Sequence, residues 1–336
     1  MAQFNLHFSV VIPFYNIASY VEKCMQSILQ QSFKDFELIA VDDGSKDQTG
    51  TLLDGYAARD PRVHVIHKSN GGLTSARKAG ARMARGEYVV IVDGDDWIAP
   101  DYLEKLNKII ETAPVDIIIC GYFRVSPETS KIKSPLPIQG RYGLFRREEI
   151  EKHYLTRLFS VPQNVWAKAF KRDLYLRFQL AMEDAIRMGE DLCITYPCLA
   201  QARQIYLLNE PLYFYRINPK SITNSACKYI SWKECLSRMK FLTGALPLEK
   251  FRLKSQFAGS VCYSLFNVIL SHFNNEPYNI TASEARNVLA TQEVRYWIEE
   301  AGRNAGGRNR LIAYLLHFRL FAIMKLISIL KRIYKS

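Results

Sequence analysis

The sequence lacks the cysteine spacing of a disulfide-rich or zinc-binding protein. Its seven cysteines are odd in number and scattered, with no pair in a CxxC arrangement. Both kinds of site need cysteines at short, repeated spacings, so the pattern argues against them and favours a reducing compartment. The first residues also lack the basic segment of a signal peptide and run directly into a strand pattern, so we expect a cytoplasmic protein.

Long apolar runs are also missing. The segment Leu311–Tyr334 is mostly apolar, but Arg319 and Lys325 interrupt it. No run therefore reaches the ~18 residues that a membrane-spanning helix needs.

Acidic residues are absent from residues 301–336, which contain eight basic ones. On a helical wheel, most of the polar residues of this tail share one side, opposite Leu, Ile and Phe, although Arg319 lies on the other side. These polar residues are Arg310, His317, Lys325, Ser328, Arg332 and Lys335. The pattern predicts a basic amphipathic tail, residues 308–336, that binds an anionic membrane surface. The alternative is a helix packed on the protein body with a solvated basic face.

The net charge of +12 suggests an anionic partner, but two thirds of it lies in residues 301–336. The remaining body therefore needs no nucleic acid to explain its charge, and we expect none as a partner. A length of 336 residues with 48% hydrophobic content supports one large domain plus an accessory part.

Apolar strand patterns alternate with helix-like stretches in the first 120 residues. This alternation predicts an α/β fold, a mostly parallel sheet with helices on both faces. The predicted strands are Phe8–Ile12, Phe36–Val41, Val63–His67, Tyr88–Val92 and Asp116–Cys120. The predicted helices between them are Ala18–Gln31, Asp47–Arg59, Leu73–Arg85 and Asp101–Thr112.

Prolines and glycines in Ser126–Gly143 predict a long loop, with room for short strands. Beyond it we expect a helix at Phe145–Phe159 and a helical C-terminal region. The helices predicted for that region are Trp232–Thr243, Leu248–Phe273, Ser283–Glu300 and Leu311–Tyr334.

Three carboxylates follow the apolar strand Tyr88–Val92, in Asp93-Gly94-Asp95-Asp96. Like charges packed this closely repel unless a cation neutralises them. A hard divalent cation that also holds substrate phosphates fits such a site, and ligands of open α/β sheets bind at this edge. The alternative is an Asp-Gly turn in which Asp96 caps the following helix.

Three other segments lie where strands end or helices begin. They are Val11-Ile12-Pro13-Phe14-Tyr15-Asn16, Val41-Asp42-Asp43-Gly44-Ser45-Lys46-Asp47 and Asn70-Gly71-Gly72-Leu73-Thr74-Ser75-Ala76-Arg77. An aromatic ring can face a base, a carboxylate can accept its imide hydrogen, and an arginine or a helix N-terminus can hold phosphate. A stiff turn, a helix cap and a simple loop explain each segment separately, but not their occurrence together at one sheet edge.

The segments VIPFYN, VDDGSKDQT, NGGLTSARKAG and GEYVVIVDGDDW, in this order and spacing, resemble the signature of family 2 glycosyltransferases with the GT-A fold. The resemblance covers about residues 8–220 and implies a nucleotide-diphosphate-sugar donor, usually UDP-linked, with Mn²⁺ or Mg²⁺. It implies that Asp93 and Asp95 bind the metal, and the spacing leaves open whether Asp95 or Asp96 is the main ligand. The donor-binding residues it implies are Pro13, Tyr15, Asn16, Asp42, Asp43, Asn70, Arg77, Asp93, Glu190 and Arg216.

Gly189-Glu190-Asp191-Leu192 resembles the Glu-Asp motif of the same family, whose aspartate is the general base. An inverting transfer needs one carboxylate to take the proton of the attacking hydroxyl. The alternatives are that Asp191 only N-caps the helix Leu192–Ala202, or that the similar pair Glu183-Asp184 supplies the base.

Two further segments resemble family elements. Trp166-Ala167-Lys168-Ala169-Phe170 implies acceptor-side roles for Trp166 and Lys168. Tyr213-Phe214-Tyr215-Arg216-Ile217-Asn218, followed by Ser221-Ile222-Thr223, implies that Arg216 approaches the diphosphate. Ordinary strand packing of the aromatics is the alternative for both.

We therefore predict a GT-A domain at residues 1–223, with a nucleotide-sugar half at about 1–122 and an acceptor half at about 145–223. A helical region follows at residues 224–336. The expected activity is inverting transfer of a sugar to a glycan or lipid-linked acceptor in bacterial surface polysaccharide synthesis, at the inner face of the cytoplasmic membrane. The alternatives are a nucleotidyltransferase, which needs an early glycine- and basic-rich loop that residues 13–20 lack, and a basic nucleic-acid-binding protein. The sugar, the linkage and the oligomeric state are not encoded in these motifs.

Overall fold

The computed structural model describes residues 6–126, 132–133, 141–217 and 231–333. The strands are β1 Phe8–Phe14, β2 Phe36–Asp42, β3 Val63–His67, β4 Tyr88–Ile91, β5 Trp97–Ile98, β6 Ile117–Val125, β7 Ile132–Lys133, β8 Gly143–Arg146, β9 Lys168–Lys171 and β10 Gln204–Arg216. The helices of the first part are α1 Ala18–Leu29, α2 Thr49–Ala57, α3 Leu73–Met83, α4 Tyr102–Thr112, α5 Arg147–His153, α6 Arg172–Ala181 and α7 Glu190–Gln201. Those of the second part are α8 Trp232–Ala245, α9 Leu253–Asn275, α10 Tyr278–Ala290, α11 Gln292–Asn304, α12 Gly307–His317 and α13 Phe321–Ile333.

The chain divides into two compact units. The first unit holds the described residues up to 154 and residues 162–217, and the second holds 155–161 and the described residues from 231 onwards.

The first unit is built on one sheet with the strand order β3-β2-β1-β4-β9-β6-β10-β5. The pairs β2–β3, β1–β2, β1–β4 and β6–β10 are parallel. Strand β9 runs antiparallel between β4 and β6. The predicted mostly parallel sheet is therefore confirmed, with one antiparallel strand inserted where the acceptor half begins.

Side chains of β1 alternate between two helical layers, because successive residues of a strand point to opposite faces. Phe8, Val10 and Ile12 share a buried core with residues of α1 and α4. On the other face α3 packs so closely that a Cβ on Gly80 would lie 2.4 Å from Val11 Cγ1. Helices therefore cover both faces, as expected for strands that are buried throughout.

Several predicted helices differ from the structure. Phe145–Phe159 is not one helix, because residues 143–146 form β8 against β10, α5 follows, and a 3₁₀ segment occupies Leu155–Ser160. The predicted helix Ser283–Glu300 is also wrong in extent, since α10 and α11 meet there with Thr291 in an extended conformation. Most of the predicted loop Ser126–Gly143, and all of residues 218–230, lie outside the described residues.

The single helix predicted at Leu311–Tyr334 is wrong, because the chain turns between α12 and α13 at Arg319, which has φ +53°. The predicted orientation of the tail is also wrong at Lys325 and Ser328. Lys325 donates to the carbonyl of Phe273 and Ser328 donates to that of Leu270, so this polar side faces α9. None of the helices among the described residues combines the length and apolar character needed to cross a bilayer.

Candidate active site

The predicted metal-binding segment forms a tight turn directly after β4. The Asp96 N–H donates to the Asp93 carbonyl at 2.9 Å, which closes the turn. A Cβ on Gly94 would lie 2.7 Å from Phe14 Cδ1 and 2.8 Å from the Pro13 carbonyl oxygen. Glycine therefore allows this turn to pack against the end of β1, where Pro13 was predicted to meet the donor.

The three carboxylates of this turn have different surroundings. Asp96 is buried and accepts hydrogen bonds from Tyr213 Oη and from the Arg216 N–H, both at 2.7 Å. Burial raises the pKa of Asp96 well above its usual range, and the charges of Asp93 and Asp95 raise it further. Asp93 and Asp95 remain half-buried. The Asp96 carboxylate therefore holds β10 against the turn, and Asp93 and Asp95 are better placed to offer oxygen ligands.

A single arginine joins this turn to the predicted base. Arg77 is buried on α3, and its Nη2 lies 2.9 Å from Asp93 Oδ1. Its Nη1 lies 2.6 Å from Asp191 Oδ1 and 3.3 Å from Glu190 Oε1. Burial by itself lowers the pKa of Arg77, but Asp191, Asp93 and Glu190 outweigh that effect and raise it. The guanidinium thus stays charged and holds carboxylates from two distant parts of the chain together.

Asp191 lies in the first turn of α7 and is not its N-cap, a position that Gly189 occupies with φ +73°. The Val165 N–H lies 3.3 Å from Asp191 Oδ2, and the side chain keeps 18% exposure. Burial raises the pKa of the adjacent Glu190 to about 8, and the charge of Asp191 adds to the increase while Arg77 opposes it.

The rival pair lies elsewhere. Glu183 and Asp184 are exposed, and Asp184 Oδ1 pairs with Lys78 Nζ at 2.6 Å. The geometry therefore favours Asp191 as the acid–base group of this site.

Asp42, at the end of β2, and Asp43, directly after it, are hydrogen-bonded to the neighbouring loops. Asp42 Oδ1 accepts from the Ser45 N–H at 2.9 Å, and its Oδ2 lies 3.0 Å from His67 Nδ1. Asp43 accepts from Gly72 N–H at 2.7 Å and from Lys68 Nζ at 2.6 Å. Hydrogen bonds from Asp54 and Asp42 raise the pKa of His67.

His67 and Lys68 were not among the predicted site residues. The only sequence signal for them was their position at the end of β3, at the same edge of the sheet.

The remaining donor-side residues lie on loops at this edge. Asn16 has φ +51°, and its side-chain oxygen accepts from the Lys46 N–H at 2.7 Å. Tyr15 is 46% exposed beside it, and Asn70 is exposed in the loop before α3. Tyr15 and Asn70 are therefore open to solvent, as a contact with a bound base or sugar requires.

Arg216 reaches the turn at Asp93–Asp96 from β10. Its Nε donates to the Asp95 carbonyl at 2.8 Å, and its guanidinium carbon lies 4.8 Å from the centre of the Trp97 ring. Lys23 Nζ lies 3.4 Å from the same ring, so two cations flank the turn. Lys23 was missed by the sequence reasoning because α1 carries no motif at that position.

On the predicted acceptor side, Trp166 is part of an aromatic cluster. Its ring stacks on Tyr213 and Tyr215 with centroid distances of 4.9 Å and 5.2 Å, and Tyr122 meets it edge-on at 4.7 Å. Trp166, Tyr122 and Tyr215 are half-buried, so part of this aromatic surface stays accessible.

Lys168 is buried on β9 and donates to the Asn164 carbonyl, in the loop that contacts Asp191. Burial lowers the pKa of Lys168 to about 8, although Asp191 opposes the decrease. This buried position suits the support of the Asn164–Trp166 loop better than contact with an acceptor.

Comparison with known proteins identifies the family. Residues 9–173 match the model of Glycosyl transferase family 2. The chain is 36% identical over 215 residues to the "Uncharacterized glycosyltransferase EpsJ" of Bacillus subtilis (strain 168), covering 64% of this chain and 62% of that protein. It is 34% identical over 125 residues to the chondroitin synthase of Pasteurella multocida (strain Pm70), covering 37% of this chain and 13% of that protein. The chain thus spans less than two thirds of either relative.

Among solved structures, S. aureus TarS 1-349 in complex with UDP-GlcNAc aligns with a TM-score of 0.64 at 19% identity. The alignment covers 96% of this chain and 89% of that one, and it shows a shared fold. The sequence resemblance and the fold class are confirmed: residues 9–173 form a glycosyl transferase family 2 domain, and the chain has a GT-A-like fold.

Proposed function

We propose that the protein is a metal-dependent, inverting glycosyltransferase. It moves a sugar from a nucleotide-diphosphate sugar, most simply a UDP-sugar, to a hydroxyl of a glycan or lipid-linked acceptor in surface polysaccharide synthesis. The observation that carries the proposal is the link from Asp93 through Arg77 to Asp191, which brings a metal-type turn and a base together within the matched fold. The UDP-GlcNAc complex of TarS supports the choice of donor. Family membership disfavours the nucleotidyltransferase and nucleic-acid-binding alternatives.

Asp93 and Asp95 would hold Mn²⁺ or Mg²⁺, because their half-buried carboxylates offer the hard oxygen ligands that these cations prefer. A cation there would stabilise the charge of the departing diphosphate. Arg216 of β10 and Lys23 of α1 flank the same turn and add fixed positive charge for the phosphates. The loops built by Asp42 and Asp43 form the edge that receives the nucleoside.

Asp191 is the general base. Its carboxylate takes the proton of the acceptor hydroxyl as that oxygen bonds to the anomeric carbon, while the bond from the anomeric carbon to the diphosphate oxygen breaks. Arg77 keeps Asp191 oriented through the 2.6 Å contact.

The half-buried rings of Trp166, Tyr122 and Tyr215 offer apolar faces to an acceptor sugar. The exposed basic residues of the tail support the predicted location at the cytoplasmic face of the membrane, where a lipid-linked acceptor would be found.

Incubation of the purified full chain with a panel of nucleotide-diphosphate sugars tests the proposal. Slow release of UDP from one donor is expected with Mn²⁺ or Mg²⁺ and not with a chelator. Release of free UDP from no donor, or release that is unaffected by the chelator, would contradict it. A Glu183→Gln variant, altered at an exposed carboxylate outside the Arg77 cluster, serves as a matched control and should keep the wild-type rate.

A further inference from the structure

The second unit exposes an unusual amount of apolar side-chain surface on two consecutive helices. Seven large side chains on or directly after α12 and α13 are between 44% and 60% exposed. We call them the apolar face, and they are Leu311, Tyr314, Phe318, Ile323, Leu326, Ile329 and Leu330. Soluble proteins rarely leave contiguous apolar surface open, and such surfaces mark contacts with a partner or a membrane.

The polarity of α13 is reversed relative to a solvated surface helix. Its buried side holds Lys325, which donates to the Phe273 carbonyl, and Ser328, whose Oγ lies 2.5 Å from Asn274 Oδ1. The opposite side holds Ile323, Leu326 and three further apolar residues, all exposed. A helix that faces water normally shows the opposite arrangement. Lys325 and Ser328 are thus satisfied by α9, and the exposed apolar side suits an apolar environment.

The charges beside this face indicate which environment covers it. Arg308, Arg310, Arg319 and Lys331 are exposed on α12, α13 and the turn between them. The sequence has no acidic residue from 301 to 336. Tyr314, whose ring is of the amphipathic kind enriched at membrane interfaces, is in contact with the Phe318 ring at 4.5 Å. Exposed apolar side chains in a segment whose only charged residues are cations complement the acyl chains and anionic headgroups of a lipid leaflet.

We propose that α12 and α13 lie in the interface of an anionic membrane leaflet, with the apolar face inserted among the acyl chains and the exposed basic residues on the headgroups. This inference rests on the membrane location within the proposed function and deepens it. The side of α13 that enters the membrane is the apolar one. Lys325, which the helical wheel assigned to the basic membrane-facing side, instead anchors the helix to the protein.

Vesicle co-sedimentation with a double Ile323→Gln, Leu326→Gln variant tests this, because both side chains are exposed and the charge is unchanged. Removing this apolar area should weaken binding to phosphatidylglycerol-containing vesicles at least about tenfold. Ile280→Gln is the matched control, since Ile280 is 46% exposed on α10 of the same unit and Ile323 is 47% exposed. The control should bind like the wild type.

The charge contribution is tested separately with Lys331→Gln. That variant should bind anionic vesicles more weakly than the wild type, and its binding should depend less on salt. Binding of the wild type should weaken with added salt but not vanish. In addition, a tryptophan introduced as Leu326→Trp should be quenched by brominated acyl chains, and one introduced as Ile280→Trp should not.

Three results would overturn the proposal. The wild type could remain in the supernatant at low salt, or the double variant could bind as tightly as the wild type. Alternatively, sedimentation velocity without lipid could show self-association that the double variant abolishes, which would make the apolar face an interface between copies of this chain. Donor hydrolysis measured without vesicles distinguishes this proposal from the enzymatic one. The double variant should hydrolyse the donor at the wild-type rate. If the wild type itself hydrolyses no donor, only the catalytic assignment is contradicted.

Discussion

Replacing Asp191 by Asn separates proton transfer from binding in this site. Asn keeps the size of the side chain and one oxygen acceptor, which can stay on Arg77 Nη1 at 2.6 Å. Its amide nitrogen then faces the Val165 N–H, so only the long 3.3 Å hydrogen bond is lost. The Arg77 contact also loses its ion-pair character, and a hydrogen bond to a charged group contributes about 1.5–3 kcal/mol, so the free energy of unfolding should fall by no more than about 3 kcal/mol. The fold and the donor affinity should therefore survive.

Turnover should respond much more strongly, because the amide cannot accept the proton of the attacking hydroxyl. Loss of a general base costs about 10²- to 10⁴-fold in rate. The assay is hydrolysis of the donor sugar, with calorimetry of UDP binding to show that the site is intact. Azide offers a sharper comparison, because it is already an anion and needs no base. Asp191→Asn should transfer the sugar to azide at close to the wild-type rate while losing transfer to water.

Glu190→Gln is the matched control. It keeps the size of a neighbouring side chain that contacts the same guanidinium at 3.3 Å, and it leaves the Asp191 carboxylate in place. Its hydrolysis rate should remain within about tenfold of the wild type, because Glu190 is buried and does not meet the acceptor. Equal losses in the two variants would show that the contacts of Arg77 matter and base catalysis does not. Wild-type hydrolysis by Asp191→Asn would refute the assignment outright.

Three other expectations concern the metal, the packing and the pH dependence. Asp95→Ala should abolish metal-dependent UDP binding in calorimetry without lowering the melting temperature, and unchanged binding would remove Asp95 from the ligand set. Gly80→Ala should destabilise the protein by about 1–3 kcal/mol in urea unfolding, because the new Cβ would meet Val11 Cγ1 at 2.4 Å. The control Gly55→Ala on α2 should be neutral or stabilising, because its new Cβ would meet only the flexible end of Arg59, at 3.7 Å. Burial raises the pKa of Glu190 to about 8, so between its ordinary value of 4.5 and about pH 8 the unfolded chain has released a proton that the folded chain keeps. Stability should therefore fall as pH rises through that window, and Glu190→Gln should flatten this slope in urea titrations.

The edge of the sheet that carries the site was predictable from sequence, for reasons visible in particular residues. β1 and β2 are buried throughout, and such apolar runs mark strands clearly. The side chains that follow each strand must then gather at one edge when the strands are parallel. In the structure Phe14 pairs with Asp42, and the Asp43 N–H donates to the Phe14 carbonyl at 2.9 Å. Local pattern and chain direction were sufficient here.

The link between Arg77 and Asp191 was not predictable, because it joins residues 114 positions apart. Sequence resemblance placed Arg77 near the nucleotide, and that role stays a prediction. No local pattern indicates that both terminal nitrogens of its guanidinium are already engaged by carboxylates. The same limit explains the antiparallel insertion of β9, whose partners β4 and β6 lie far from it in the chain.

The tail shows a different limit. Helical periodicity correctly groups Lys325 and Ser328 on one side, but it does not state which side faces the protein. This side faces the protein, because Lys325 and Ser328 donate hydrogen bonds to the carbonyl groups of Phe273 and Leu270 on α9. The turn at Arg319 also carries no glycine or proline, the residues that usually signal such a break.

The Arg77 cluster suggests why one site can serve both donor and acceptor chemistry. Asp93 belongs to the turn proposed to bind the metal and Asp191 is the proposed base, and one planar guanidinium contacts both at 2.9 Å and 2.6 Å. A rigid two-sided donor fixes the separation of its partners, which a single ammonium on a flexible stem does not do. The cluster nevertheless holds more carboxyl groups than cations, since Asp95 lies beside Asp93 and Glu190 beside Asp191. Burial raises the pKa of Glu190 and Asp93, and the neighbouring carboxylates raise it further. The same excess would favour a divalent cation beside Asp95, so the arrangement that positions the proposed base leaves the negative charge on which the proposed metal site depends.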